Sequence, residues 1–144
     1  MASCKREDYE AMGGTVMIEK ISKIFYDKIY DHPWLKLYFK EISQDHIERQ
    51  QVDFMQAALG GENLYCGHTP PTAHKHMYIT HALFEARQNL LDESFEEANT
   101  SELMIEKWQR IDDVFFIRIV KHAPEQCEKR YKTDKILNFP KPTS

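Results

Sequence analysis

Long apolar runs and paired cysteines are both absent from this sequence. No segment approaches the ~18 consecutive apolar residues of a membrane span, and residues 1–6 are short and polar, unlike a signal peptide. The three cysteines, Cys4, Cys66 and Cys127, have unrelated spacings and form no C-x-x-C pair. We therefore expect a soluble protein of a reducing compartment, the cytoplasm.

A large charge of one sign is also absent. With 19 basic and 23 acidic residues, the formal net charge is -4. This charge creates no field that would attract nucleic acid or an anionic membrane, so we expect neither as a partner. The run at 129–132 is locally basic, and we interpret it as a solvated segment.

Several catalytic and metal-binding signatures are missing. The sequence has no H-E-x-x-H motif of a zinc protease, no Glu-x-x-His pair of a di-iron bundle and no C-x-x-C-H for covalent haem attachment. It also lacks a flavin or nicotinamide fingerprint. A Ser-His-Asp or Cys-His site has no local signature here, and such sites are defined by geometry rather than by sequence.

The apolar residues recur at helical steps, and no segment shows the sustained alternation of a strand. They predict helices over residues 16–30, 44–59 and 79–91, then an acidic connection over 92–100 and a last helix from a Ser101 cap to about Lys121. The length of 144 residues fits one domain with one core. We predict an all-α domain over residues 1–124 and a C-terminal extension over 125–144.

Two polar side chains lie on otherwise apolar helix faces. Tyr26 borders the face that contains Phe25 and Ile29. Gln51 is central on the next helix, on a face predicted to include Ile47, Phe54, Met55 and Ala58. A buried amide without hydrogen bonds costs about 1–3 kcal/mol, so Gln51 needs a partner from the protein, water or a ligand. A purely structural bond to a neighbouring backbone group is the alternative.

A glycine-rich break over residues 60–77 follows that helix and carries a single well-placed histidine. Gly60 and Gly61 suit a helix C-cap, because glycine adopts the left-handed conformation without steric cost. His74 and His76 are two positions apart and cannot share a helix face. What remains is His74 facing an apolar helix with one amide and one tyrosine, although periodicity alone would also allow a helical interaction domain without a cofactor.

The order of these residues closely resembles the truncated haemoglobins, most of all their first group. The resemblance rests on Phe25-Tyr26, then Phe39, then Gln51, the Ala-Ala-Leu-Gly-Gly run at 57–61, a Tyr-x-Gly at 65–67 and His74 seven residues after that glycine. It covers roughly residues 9–91, including the glycine pair at 13–14. It implies a two-over-two helical sandwich around haem b.

Carried over residue by residue, the resemblance implies roles for four side chains. His74 matches the proximal iron ligand, and Tyr26 and Gln51 match distal positions that hydrogen-bond the ligand, with a mutual bond expected in the empty pocket. Phe39 matches the phenylalanine that packs on the porphyrin.

Further positions follow from the same resemblance. Ile47 falls at a distal position, and Met55 falls where some members have a phenylalanine that gates a ligand tunnel. Arg87 falls at a semi-inward position, from which it either extends to solvent or reaches a haem propionate. His46, the neighbour of Ile47, is expected to point away from the iron. Further expected cofactor contacts are Phe54, His76 and Ile79.

The function that the resemblance implies is reversible binding of O2, NO or CO at ferrous haem iron. It also suggests NO dioxygenation to nitrate, for which a separate reductase is needed because the chain has no flavin or nicotinamide fingerprint. The alternative is a haem-based gas sensor or electron-transfer module that acts through a partner. We expect a monomer or weak dimer.

Overall fold

A computed structural model describes residues 6–67 and 69–142, so Cys4 and His68 lie outside the described residues. Six α-helices occupy this part of the chain: α1 Arg6–Ala11, α2 Gly14–Asp31, α3 Gln44–Ala58, α4 Pro70–His74, α5 His81–Glu97 and α6 Glu102–Ile119. Two short 3-10 helices, Leu35–Phe39 and Pro124–Gln126, and one isolated bridge between Met77 and Leu137 are also present. The prediction of an all-α fold is confirmed. None of the described helices is both long and apolar enough to cross a membrane.

Hydroxyl side chains begin three of the long helices. Ser43, Thr80 and Ser101 each accept a hydrogen bond from the backbone N–H three residues further on, at 3.1–3.2 Å. Each bond satisfies one of the N–H groups that a helix leaves without an internal partner. The predicted Ser101 cap is therefore confirmed.

The glycine pair ends α3 as its sequence predicts. Gly60 has a φ of 103°, and Gly61 N donates to Gln56 O at 2.7 Å while Gly60 N donates to Ala57 O at 3.4 Å. These two bonds form the Schellman motif, which requires a left-handed residue. A Cβ atom on Gly61 would lie 2.7 Å from Cζ of Tyr9, so both positions favour glycine. The chain is thereby turned towards the segment that carries α4.

The core lies between two pairs of helices. Helix α2 packs against α3 and α5, and α6 packs against α4. Aromatic contacts complete the arrangement, with Phe95 and Trp108 joining α5 to α6 at 5.5 Å between ring centres and Phe54 and Phe115 joining α3 to α6 at 6.1 Å. The result is the predicted two-over-two sandwich, with α2 and α3 on one side of the core and α5 and α6 on the other.

Two details of the sequence prediction were wrong. Ala58 was assigned to the inward face of α3, but it is exposed, and Gln56 is buried near that end of the helix instead. Residues 92–97 were assigned to an acidic connection, but they continue α5 to Glu97. The helix continues because its buried face does, through Leu91, Ser94, Phe95 and Ala98.

Residues 127–139, here called the C-terminal segment, pack back onto the helical domain. Trp34 Nε1 donates to Phe139 O at 2.8 Å, and the rings of Tyr38 and Phe139 meet edge to face at 5.0 Å. Leu137 N donates to His76 O at 2.9 Å. The segment therefore connects the 3-10 helix after α2 with the loop after α4, while a domain boundary at residue 124 stays a prediction.

Candidate functional site

A cavity of about 240 Å³ lies inside the helical sandwich, with walls from α2, α3, α5 and α6. One water needs only ~10–15 Å³ of such volume, so the cavity holds a much larger group. Apolar side chains dominate the wall, and they include Phe25, Ile29, Leu83, Phe84, Ile111 and Phe115. A mainly apolar cavity with a few polar groups is typical of a cofactor or ligand site.

Eight of the nine residues predicted for the site line this one cavity. They come from four separate parts of the chain and are Tyr26, Phe39, Ile47, Gln51, Phe54, Met55, His74 and Ile79. The sequence order alone places these residues far apart, and the fold brings them together.

The ninth residue, His76, is not brought into the cavity. It is 4% exposed and lies beneath the C-terminal segment, where its backbone carbonyl accepts the bond from Leu137. Burial, together with the nearby charge of Arg130, lowers the pKa of His76. Its Nδ1 has no hydrogen-bond partner among the described residues. His46 is exposed and also lies outside the cavity wall.

His74 is the last residue of α4, and its ring is oriented by its own helix. Nδ1 lies 2.7 Å from Pro70 O, and because a carbonyl only accepts, Nδ1 carries the proton. Nε2 then holds a lone pair and makes no hydrogen bond to any described residue. Burial lowers the pKa of His74 to about 4, so the ring is neutral at pH 7. A neutral imidazole with its other nitrogen bonded to a carbonyl is the form that ligates a metal.

Lys121, just beyond α6, holds the end of α4 in place. Its Nζ donates to the carbonyls of His74 at 3.0 Å, Met77 at 2.8 Å and Ile119 at 3.3 Å. Burial lowers the pKa of this ammonium. The sequence gave no sign of this role, because a lysine after an amphipathic helix has no local pattern that distinguishes it.

Tyr26 presents its hydroxyl to the cavity. Its side chain is 6% exposed, and its ring lies 5.0 Å from that of Phe25 and 6.1 Å from that of Phe39. Burial raises the pKa of Tyr26, so the hydroxyl stays protonated and can donate. Within the described chain it forms no hydrogen bond, and the expected bond to Gln51 is not present. The donor is therefore available to a molecule inside the cavity.

Two arginines also line the cavity, and neither lies where the sequence suggested. Arg87 pairs with Asp112 of α6 at 2.9 Å instead of extending to solvent. Arg130, from the basic run interpreted as solvated, reaches the cavity wall and pairs with Asp134 at 2.9 and 3.1 Å. Hydrogen bonding from Arg130 holds the pKa of Asp134 well below its usual range.

The residues present fit a haem. Haem takes one histidine at its iron and otherwise needs an apolar cavity with few polar groups. Nε2 of His74 supplies an unpartnered metal-binding nitrogen, and Phe39 and the other aromatic residues supply the apolar wall. In the described ranges, no group of three or more His, Cys, Asp or Glu residues could hold a metal ion jointly.

Comparisons with known proteins agree with this geometry. The family model for bacterial-like globins matches residues 7–118. A group 1 truncated haemoglobin of Tetrahymena thermophila is 28% identical over 119 residues, covering 83% of this chain and 92% of that protein. Its counterpart from Tetrahymena pyriformis is 30% identical over 103 residues, covering 72% of this chain and 85% of that protein.

Solved structures show the same relationship. The Fe(III) form of the Tetrahymena pyriformis truncated haemoglobin superposes with a TM-score of 0.71 at 27% identity, covering 80% of this chain and 98% of that one. A group II truncated haemoglobin of Bacillus anthracis gives a TM-score of 0.71 at 26% identity, covering 79% and 90%. The chain therefore belongs to the bacterial-like globin family and has the fold of the truncated haemoglobins.

Proposed function

We propose that this chain is a haem b protein that binds O2 reversibly, and also NO and CO, with His74 as its iron ligand and Tyr26 as its main hydrogen-bond donor. Membership of the globin family implies haem-based gas binding. One observation supports the residue assignments above all others: Nε2 of His74 and the hydroxyl of Tyr26 face one cavity, and neither has a hydrogen-bond partner in the described part of the chain.

The chemistry of the cofactor sets what the protein has to supply. Haem, when bound, offers an open iron position to a gas, and in its ferrous form it supports both O2 binding and the reaction of O2 with NO. The chain supplies the neutral His74 imidazole, an apolar wall that excludes water, and the Tyr26 donor. Gln51 adds an amide to the same wall.

The Tyr26 hydroxyl would favour O2 over CO. O2 carries partial negative charge when it binds a ferrous haem, whereas CO is less polar, and hydrogen bonds to charged acceptors are stronger than those to neutral ones. Since no described protein group competes for this donor, its full hydrogen-bonding capacity is available to the ligand. The site therefore retains O2 by a bond that it does not make to CO.

NO dioxygenation is the reaction that we propose for this site. One O2 and one NO give nitrate, the iron is left ferric, and one electron from a separate reductase restores the ferrous form. The alternative, a gas sensor or electron-transfer module that acts through a partner, binds the same gases without turnover. Nitrate formed in several-fold excess over protein, in the presence of NADPH and a flavoprotein reductase, would support the enzyme. Nitrate limited to one equivalent would support the sensor.

Two further parts of the proposal concern the setting of the protein. We propose a cytoplasmic location, in keeping with Cys66 and Cys127, which are both free thiols. We also propose a monomer or weak dimer. Sedimentation velocity of the haem-loaded protein over a hundredfold concentration range would detect a stable oligomer as a concentration-independent larger species.

Haem titration tests the central assignment. We expect haemin added to the protein to give a Soret band that saturates at one equivalent. His74→Gly should lose this spectrum, and added imidazole should restore it by occupying the space of the deleted ring. His76→Ala is the matched control, because that buried histidine lies outside the cavity, and it should keep the spectrum. A His74→Gly protein that binds haem normally without imidazole would refute the assignment.

A further inference from the structure

Arg87 is anchored in the cavity wall by two fixed acceptors. Its Nη1 donates to Asp112 Oδ2 at 2.9 Å and to Gln88 Oε1 at 2.5 Å. The side chain of Arg87 is 22% exposed and that of Asp112 is 11% exposed, so water screens this ion pair only partly. Since Nη1 has two hydrogens, both are used, and the guanidinium is held in one orientation.

The other guanidinium nitrogens are left without partners. Nε and Nη2 carry three further N–H donors, and these make no hydrogen bond to any described residue. The group lies over two aromatic faces, with Cζ 5.2 Å from the ring centre of Phe25 and 5.7 Å from that of Phe84. These neighbours attract the cation but accept little hydrogen bonding, so the donors can be satisfied only from the cavity or by water.

The charges around the cavity favour a negative occupant. Within the described chain, the ionised side chains of its wall are those of Arg87, Arg130 and Asp112, because His74 is neutral. Two cations thus face one anion. The charge of Arg87 acts on both ends of the cavity, since it opposes the rise that burial causes in the pKa of Tyr26 and contributes to the low pKa of His74.

We propose that Arg87, held by Asp112, is a second donor beside Tyr26 and makes the cavity a site for small anions as well as for gases. The chemical class is a monatomic or linear anion such as fluoride or azide, bound where a gas would bind. The inference rests on the proposed haem function, because such anions bind at ferric haem. The phenol and the guanidinium then offer hydrogen bonds to the same negative atom, and the guanidinium also offers charge.

Equilibrium titrations of the ferric, haem-loaded protein with sodium fluoride and sodium azide at pH 7 test the proposal. Arg87→Met alone would leave the Asp112 carboxylate unpaired and partly buried, so the test variant is the double substitution Arg87→Met/Asp112→Asn. Its matched control is Arg110→Met/Glu106→Gln, which removes an exposed ion pair of the same charges on α6, outside the cavity. CO binding to the ferrous proteins serves as the neutral-ligand comparison.

We expect the double variant to weaken fluoride and azide binding by about tenfold or more, the usual effect of losing a hydrogen bond to a charged acceptor. CO affinity should change by less than about threefold, and the control should match the wild type throughout. Unchanged anion affinity, or equal loss for CO and the anions, would overturn the proposal. Loss of haem loading in the double variant alone would assign Arg87 to holding the cofactor and would overturn it too. Absence of a Soret band in the wild type would instead refute the haem function itself.

Discussion

Replacing Tyr26 by phenylalanine should speed O2 release far more than CO release. The substitution keeps the ring contacts with Phe25 and Phe39 at 5.0 and 6.1 Å and removes only the hydroxyl. No described residue is left with a broken hydrogen bond, so the change isolates the bond to the ligand. A hydrogen bond to a charged acceptor contributes about 1.5–3 kcal/mol, which corresponds to roughly 10- to 150-fold faster O2 dissociation.

The assay is stopped-flow dissociation of O2 and of CO from the ferrous haem-loaded protein. CO, a weaker acceptor, should dissociate no more than about threefold faster. Tyr30→Phe is the matched control, since its hydroxyl donates to Ile42 O at 2.7 Å and lies outside the cavity wall. Both gas rates should be unchanged in that variant. Equal acceleration of O2 and CO by Tyr26→Phe would show that the hydroxyl acts through access or packing, and the polar mechanism would be refuted.

The same assay measures how far Tyr26 and Gln51 act together. Since no bond joins them in this structure, Gln51→Leu should change the unfolding free energy independently of Tyr26→Phe. Coupling should appear only in O2 release, where both donors contact one ligand, at about 0.5–3 kcal/mol. Additive effects on O2 release would mean that only one of the two residues contacts the ligand.

Two more predictions concern stability. Lys121→Met leaves three carbonyls without their shared donor and should lower the free energy of unfolding in urea by on the order of 3 kcal/mol, whereas Lys129→Met, at an exposed position, should change it little. Loss of equal size in both variants would contradict the role of Lys121. The haem-free protein should also lose stability as pH falls from about 6.5 to about 4, because burial lowers the pKa of His74 to about 4 and the unfolded chain binds the extra proton. This loss amounts to about 1.4 kcal/mol per pH unit at most, and the urea-derived curve of His74→Phe should be flatter over that range if the reasoning holds.

The helices that could be predicted were those whose caps and apolar faces agree. Helix α3 was expected from Gln44 to Leu59 and runs from Gln44 to Ala58, because Ser43 and Gly60 mark its ends in the sequence. The end of α5 could not be predicted in the same way. Acidic residues dominate 92–97, and they conceal a buried face that becomes evident only once α6 packs against it.

The site divides along the same line between local and distant information. His74 and Tyr26 stand out because each is a polar residue in an apolar or interrupted pattern, and family spacing supports both. Asp112 and Lys121 were missed because their importance comes from partners 25 and 47 residues away in the sequence. Even Arg87, which the sequence did bring to notice, was assigned to solvent or a propionate because its carboxylate partner could not be known.

The C-terminal segment has a consequence for the order in which the protein is assembled. Phe139 bonds to Trp34 and Tyr38 across separations of 105 and 101 residues, so these contacts form only after every helix has been synthesised. During synthesis the helices and His74 therefore exist before Arg130 closes its part of the wall, and a cofactor can enter through that opening. In the finished protein the same route opens only when the segment detaches locally. Cofactor loss should then keep pace with the fraying of residues 127–139 rather than with global unfolding.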